Sequence, residues 1–118
     1  MNKVILIGHL GKDVEPSGKE EKSLKFSLAT SRRAKKGEEW ETLTEWHNIF
    51  LSKRNEYLEQ NLLKGTKVAV EGLITYRKTE KGIVYCNILA HNVNILFPPK
   101  TYESADNGLN SKNDGLPF

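Results

Sequence analysis

Hydrophobic and polar residues alternate in several short stretches of this chain, which is the period of a β-strand with one buried face. Leu24, Phe26 and Leu28, for example, alternate with polar or small residues. Together with turn residues at their ends, these stretches predict five strands, over residues 3–8, 24–29, 46–51, 68–74 and 83–97.

Residues 53–64 have helical character instead, because Leu58 and Leu62 lie four apart and Gly65 is placed to end a helix. The polar residues 31–44 predict a long hairpin loop, and residues 78–82 predict a shorter one. Three strands, a helix and a final hairpin is the element order of the OB-fold. We therefore predict an all-β fold, a five-stranded Greek-key barrel with one helix between the third and fourth strands.

Two prolines at residues 98–99 are expected to end the last strand. The segment that follows is rich in Asn, Ser, Asp and Gly, and it has too few large apolar residues to offset its ordering entropy. The sequence thus predicts an OB-fold domain over residues 1–97 and a disordered linker with a C-terminal tip over residues 98–118.

Composition and charge favour some classes of function but do not determine one. The 118 residues carry a formal net charge of +3, and the positive charge lies in residues 1–97. A mildly basic domain suits a polyanionic partner. Cys86 is the only cysteine, and no apolar run is long enough to span a membrane, so we expect a cytoplasmic protein with no signal peptide. The three histidines lack metal-ligand spacing, and we predict no catalytic residue, metal or cofactor.

Five strings resemble the bacterial single-stranded-DNA-binding protein family in order and spacing: NKVILIGHLGKD at residues 2–13, LATS at 28–31, TEWH at 44–47, LKGTKV at 63–68 and VEG at 70–72. The terminal DGLPF at residues 114–118 is similar to that family's partner-docking tip. The resemblance implies a non-enzymatic OB-fold homotetramer of the bacterial cytoplasm and nucleoid. It would coat single-stranded DNA in replication, repair and recombination, and recruit partner proteins through the tip.

A sequence-tolerant binder of single strands needs aromatic rings on which bases stack and cations that follow the phosphates. In the third predicted strand, alternation places Trp46 on the face opposite the core candidates Ile49 and Leu51. Trp46 matches a DNA-stacking tryptophan of the family, although a core position is the alternative. Phe50 shares its face but could instead pack under the helix.

Three further aromatic residues are candidate base platforms. Trp40 lies in the polar loop, where a subunit contact is the alternative role. Tyr76 and Tyr85 flank the last hairpin, where cross-strand pairing of the two rings would explain them equally well.

The candidate phosphate contacts are basic residues near the loops that frame the binding face of an OB-fold. They are Arg32, Arg33, Lys35, Lys36, Lys53 and Arg54. The resemblance adds Lys3, Arg77 and Lys78, which fall at positions where the family faces nucleic acid. The resemblance places His47 at a subunit contact, and a histidine hydrogen-bonded within its own chain is the alternative.

The chain also departs from the family pattern. Ala34, Ser52 and Thr79 stand where well-studied members carry stacking aromatics, which predicts a lower affinity or a smaller site. In the tip, Phe118 and its carboxylate would dock with Leu116 and with Pro117 stiffening the approach. Asp114 is the only acidic side chain of the tip.

Two other functions fit parts of the sequence. One is an accessory OB-fold protein of primosome or recombination complexes that mainly contacts proteins. The other is a small hydrolase or nuclease, which would need clustered carboxylates or a nucleophile–base pair. The acidic residues of the 31–44 region look like solvated loop positions instead.

Overall fold

The computed structural model describes residues 1–99. They form strands β1 (Val4–Leu10), β2 (Glu15–Ser17), β3 (Ser23–Lys36), β4 (Glu39–Leu51), β5 (Lys67–Lys78) and β6 (Val84–Phe97). A short 3-10 helix (Lys19–Glu21) precedes β3, and helix α1 (Glu56–Asn61) lies between β4 and β5.

Five of these strands close into a barrel. The sheet order is β1-β5-β6-β4-β3, with β2 added at the outer edge of β3, and β1 also pairs with β3 through His9 and Leu10. The β4–β6 pair is parallel and the other pairs are antiparallel. A five-stranded ring with a helix after its third strand is the predicted OB-fold, which the structure confirms.

The barrel closes where β1 crosses β3 at Gly8. A Cβ atom at this position would overlap the carbonyl oxygen of Ala29, so no larger residue fits the crossing. Inside the ring, alternate residues of its five strands form one core with Leu62, which follows helix α1. The strand residues of this core are Leu10, Leu24, Phe26, Leu28, Ile49, Leu51, Val68, Val70, Ile88 and Ala90.

Helix α1 is shorter than the predicted 53–64 span. Asn55 has an extended backbone and its side-chain oxygen accepts a hydrogen bond from the Leu58 amide (3.0 Å), so the helix begins after it. At the other end, Leu62 leaves helical geometry and inserts fully into the core. The helix therefore ends before Gly65, whose amide bonds to the carbonyl oxygen of Leu10 instead.

The prediction of a long loop over residues 31–44 was wrong. β3 continues to Lys36 and β4 begins at Glu39, and the register between them is unbroken from Leu24–Leu51 to Lys36–Glu39. Only a tight turn containing Gly37, at φ 68°, joins them. The outer half of this β-ribbon is solvated on both faces, so it carries no hydrophobic alternation for a sequence pattern to reveal.

No helix within residues 1–99 is long and apolar enough to cross a membrane. The last strand ends at Phe97. The predicted linker beyond residue 99 and the C-terminal tip lie outside the described residues.

Candidate nucleic-acid interface

Trp46 lies on the outer surface of the barrel. Ile49 and Leu51 project from the opposite face of β4 and are buried in the core, whereas 62% of Trp46 is exposed. Directly across the strand pair stands Ala29, whose small side chain leaves the surface beside the indole open. The structure thus excludes a core role for Trp46 and places its ring where a planar ligand can reach it.

Gly11, just beyond the end of β1, provides the seat for the indole ring. A Cβ atom at Gly11 would lie 2.5 Å from Cζ3 and 2.8 Å from Cη2 of Trp46, well inside van der Waals contact. The Gly11 amide also donates to the carbonyl oxygen of Ser27 (3.1 Å), which fixes this backbone against β3. The ring of Trp46 therefore packs against Gly11 on one side, while most of its surface faces solvent.

The β3–β4 ribbon extends this surface beyond the barrel. Strand alternation puts Trp40, Arg33 and Lys35 on the same face as Trp46, and Lys35 is the cross-strand partner of Trp40. The guanidinium carbon of Arg33 lies 5.8 Å from the centroid of the Trp40 ring. Cations and exposed aromatic rings thus alternate along one face, as a strand-tracking surface requires.

The other two cations of the cluster point the opposite way. Arg32 and Lys36 alternate with Arg33 and Lys35, so they project from the far face of the ribbon. There the guanidinium of Arg32 lies 4.0 Å from a carboxylate oxygen of Glu45. The structure therefore divides the predicted basic cluster into two pairs, of which only Arg33 and Lys35 share the face of the tryptophans.

The β5–β6 hairpin is divided in the same manner. Tyr85 and Arg77 are cross-strand partners on the outer face of the hairpin. Tyr76 and Cys86 are partners on the other face, which is the face of Ile74. The two tyrosines are not cross-strand partners, so the alternative in which their rings pair is wrong. Lys78 follows Tyr76 on the inward alternation, opposite Val84, and all four predicted residues of the hairpin are exposed.

Lys3 lies elsewhere, at the start of β1. Its ammonium is 2.9 Å from one carboxylate oxygen of Glu71, and Nε2 of His91 is 3.4 Å from the other. The hydrogen bond from Lys3, assisted by its charge and by His91, lowers the pKa of the Glu71 carboxyl. The charge of Lys3 is therefore already balanced by a neighbour.

Arg54 is similarly engaged at the helix end of the barrel. It forms an ion pair with Glu59 and donates to the carbonyl oxygen of Glu21 (3.1 Å). The hydrogen bond from Arg54 lowers the pKa of the Glu59 carboxyl. Lys53 precedes it in the same connection and lines, with Tyr57, a groove between helix α1 and β6.

His47 faces away from Trp46 and is partly buried. Its Nε2 atom lies 2.8 Å from Oγ1 of Thr30, so the hydrogen bond within the chain exists. The predicted subunit contact of His47 stays a prediction.

Several residues of the outer surface were missed or left open by the sequence interpretation. Phe50 does not pack under the helix; it stands on the outer face between Lys25 of β3 and Leu89 of β6. Asn48 and Asn87 are neighbours on the same face. Alternation could have found Lys25, but the contacts across β4 and β6 depend on a parallel pairing that no local pattern encodes.

The predicted tip residues Asp114, Leu116, Pro117 and Phe118 lie outside the described part of the chain. Within residues 1–99, no group of three or more His, Cys, Asp or Glu side chains is arranged to hold a metal ion.

Comparisons with known proteins agree with this fold. Plasmodium falciparum SSB in complex with ssDNA is 26% identical, with a TM-score of 0.70 over 82% of this chain and 94% of that one. A deletion mutant of the single-stranded DNA binding protein from Thermus aquaticus shares the fold at 23% identity and a TM-score of 0.70, over 81% of this chain and 50% of that one. The model of the single-strand binding protein family matches residues 1–94. Since that match covers most of the 118 residues, the chain belongs to the single-strand binding protein family.

Proposed function

We propose that this protein binds single-stranded DNA without sequence preference and without catalysis, through the outer surface that carries Trp46. The observation that carries the proposal is the exposed Trp46 ring, seated on Gly11 and in line with Trp40 and the cations of the ribbon. An unpaired strand offers base faces and a phosphate string, and stacking is tolerant of sequence because every base has a π-face.

The described geometry suggests a path for the strand. Bases would stack on Trp46 and Trp40, while Arg33 and Lys35 follow the phosphates along the same face of the ribbon. On the neighbouring hairpin, Tyr85 and Arg77 repeat the combination of one ring and one cation. Family membership and the relative solved with ssDNA support this assignment.

A fluorescence titration with poly(dT) at two salt concentrations tests the proposal. We expect quenching of tryptophan emission and saturable binding. Binding should be weaker at higher salt, because the release of counterions from the DNA favours association less when the salt concentration is high. Trp46→Ala should weaken binding, by about 1–3 kcal/mol per lost base contact. A wild-type protein that neither quenches nor retains poly(dT) at low salt would contradict the proposed function.

We also propose that the protein acts as a homo-oligomer, with a tetramer as the expected state. Ile5 and Ile7 are 61% and 54% exposed on the outer face of β1, and such neighbouring apolar side chains favour burial against another chain. Within residues 1–99, β1 pairs with β3 only through His9 and Leu10, which leaves the edge beside these isoleucines open. Light scattering measures the mass of the wild-type protein and of Ile7→Lys. A monomer mass for both proteins would contradict the assembly.

The cellular role is the protection of single strands in replication, repair and recombination in the bacterial cytoplasm, with partner proteins docking on residues 114–118. The sequence of the tip supports this part of the proposal. Removing residues 114–118 should leave poly(dT) affinity unchanged and abolish co-purification of replication and repair proteins. Equal recovery of those proteins by the truncated and full chains would contradict the docking role.

A further inference from the structure

Phe50 occupies the same outer face of β4 as Trp46, four residues further along. This spacing corresponds to roughly 13 Å in an extended strand, with Asn48 between the two rings. Phe50 is partly buried, yet it belongs neither to the core nor to the residues packed against the core. The structure therefore leaves a large aromatic side chain on the surface that the core does not require.

Two carboxamide groups lie beside this ring. Asn48 and Asn87 are register partners across the parallel β4–β6 pair, two residues before the Phe50–Leu89 pair and on the same face. Within residues 1–99, neither side-chain amide forms a hydrogen bond to another residue. Each amide offers a donor and an acceptor, the groups that the edge of a nucleobase presents in return.

Two shallow grooves meet at Phe50. The first runs toward β3 and the β1–β2 connection, where Lys12 and Lys25 are accompanied by Asp13 and Glu15. The formal charges of these four residues cancel, and the Asp13 carboxylate already accepts a hydrogen bond from the Lys64 amide (2.8 Å). A neutral group suits this groove better than a phosphate does.

The second groove runs toward the β5–β6 hairpin and encloses about 440 Å³. Leu89, Asn87 and Thr75 line it together with Arg77, which supplies a positive charge. A strand that crosses from Trp46 to Phe50 could therefore place its phosphate near Arg77, while its base occupies the apolar and amide-lined part.

We propose that Phe50, Asn48 and Asn87 form a second base-binding subsite on this surface. Phe50 stacks one nucleobase of the bound strand, and the two amides hydrogen-bond to the edge of that base. The proposal rests on the proposed single-stranded DNA binding and goes further, because it assigns a base platform in addition to Trp46. It also explains how the chain supplies ring contacts although Ala34, Ser52 and Thr79 are not aromatic.

Affinity measurements on matched variants test the subsite. Phe50→Leu keeps an apolar side chain against Leu89 but removes the aromatic face, and we expect it to weaken oligo(dT) binding roughly 5- to 150-fold. Tyr57→Leu is the control, because Tyr57 is an exposed ring (63%) that lines the groove beside helix α1 and neither of the two grooves that meet at Phe50. The control should bind as wild type does. The double variant Asn48→Ala, Asn87→Ala should weaken binding without changing its salt dependence, since no charge is removed.

A contact-specific readout separates the subsite from a purely structural role of Phe50. Oligo(dT) with 5-iodouracil in place of thymine should form photo-crosslinks to peptides containing residues 48–50 and 87–89 in the wild-type protein. Crosslinks that avoid both peptides would overturn the subsite, even if Phe50→Leu lowers affinity.

The two proposals can fail separately. If Trp46→Ala weakens binding and Phe50→Leu does not, the second subsite is refuted and the proposed function stands. If the wild-type protein does not bind oligo(dT), the proposed function is refuted and the subsite with it.

Discussion

The ring of Trp46 fills the space that a side chain at Gly11 would occupy. Cζ3 of the indole would lie 2.5 Å from a Cβ atom at Gly11. The backbone of Gly11 is not in the left-handed region, so alanine is conformationally acceptable there and tests space alone. Gly11→Ala should push the indole off its seat and weaken oligo(dT) binding by a part of the ~1–3 kcal/mol that a stacked base contributes.

A double-mutant cycle tests whether the loss of affinity in Gly11→Ala depends on the Trp46 ring. In a Trp46→Ala background the added methyl group meets no ring, so Gly11→Ala should have no further effect on affinity. Circular dichroism melting of each variant monitors the barrel itself. Additive losses from the two substitutions would show that Gly11 acts independently of the tryptophan.

Arg33 and Arg32 are adjacent in sequence but lie on opposite faces of the ribbon. Replacing Arg33 by alanine removes a cation beside Trp40, so it should lower the slope of log affinity against log salt by about 0.7 for a single strand. Arg32→Ala removes a cation that faces Glu45 on the far side and should leave the slope near the wild-type value.

Lys35 and Lys36 allow the same comparison between the two faces of the ribbon. Lys35→Ala should lower the salt slope and Lys36→Ala should not, because these residues share the faces of Arg33 and Arg32 respectively. Titrations of all four variants with oligo(dT) over a range of salt concentrations supply the slopes. Equal slopes for the members of each pair would refute the one-sided path along the ribbon.

The sequence was sufficient for the barrel strands and for the outward position of Trp46, because both follow from alternation against a buried core. It was insufficient for the outer ribbon: Arg32 to Lys36 have no buried face, so their strand conformation depends on pairing with β4. Local patterns also could not supply the seat at Gly11, since this contact joins residues 35 positions apart in the chain. Which cations share a face could be found only after the register was known.

Glu71 provides a pH-dependent test of the structure at the start of β1. Lys3 hydrogen-bonds to this carboxylate and lowers its pKa, with a smaller contribution from His91. A lowered pKa means that the interaction stabilises the fold above the unfolded-state pKa of the glutamate, and that this stabilisation is lost as the pH falls through the lower, folded-state pKa. Lys3→Met should raise the pKa of Glu71, and His91→Gln should raise it less.

A titration followed by carboxyl ¹³C NMR measures both changes. Glu59 serves as an internal reference, because its pKa is lowered by the hydrogen bond from Arg54, and neither Lys3 nor His91 contributes to that shift. An unchanged Glu71 titration in Lys3→Met would show that the ion pair does not form in solution.

Leu62 and Leu63 are adjacent leucines that are expected to contribute very different amounts to stability. Leu62 ends helix α1 and is fully buried in the core, whereas Leu63 is 38% exposed. Leu62→Ala removes a buried side chain and leaves a cavity, so it should lower the free energy of unfolding by about 2–5 kcal/mol. Leu63→Ala should change it by less than about 1 kcal/mol, because the exposed side chain loses little contact. Urea unfolding of both variants measures the difference, and similar losses would mean that Leu62 does not anchor the end of α1 in the core. Since neither leucine lies on the Trp46 face, both variants should bind oligo(dT) as wild type does under conditions where they remain folded.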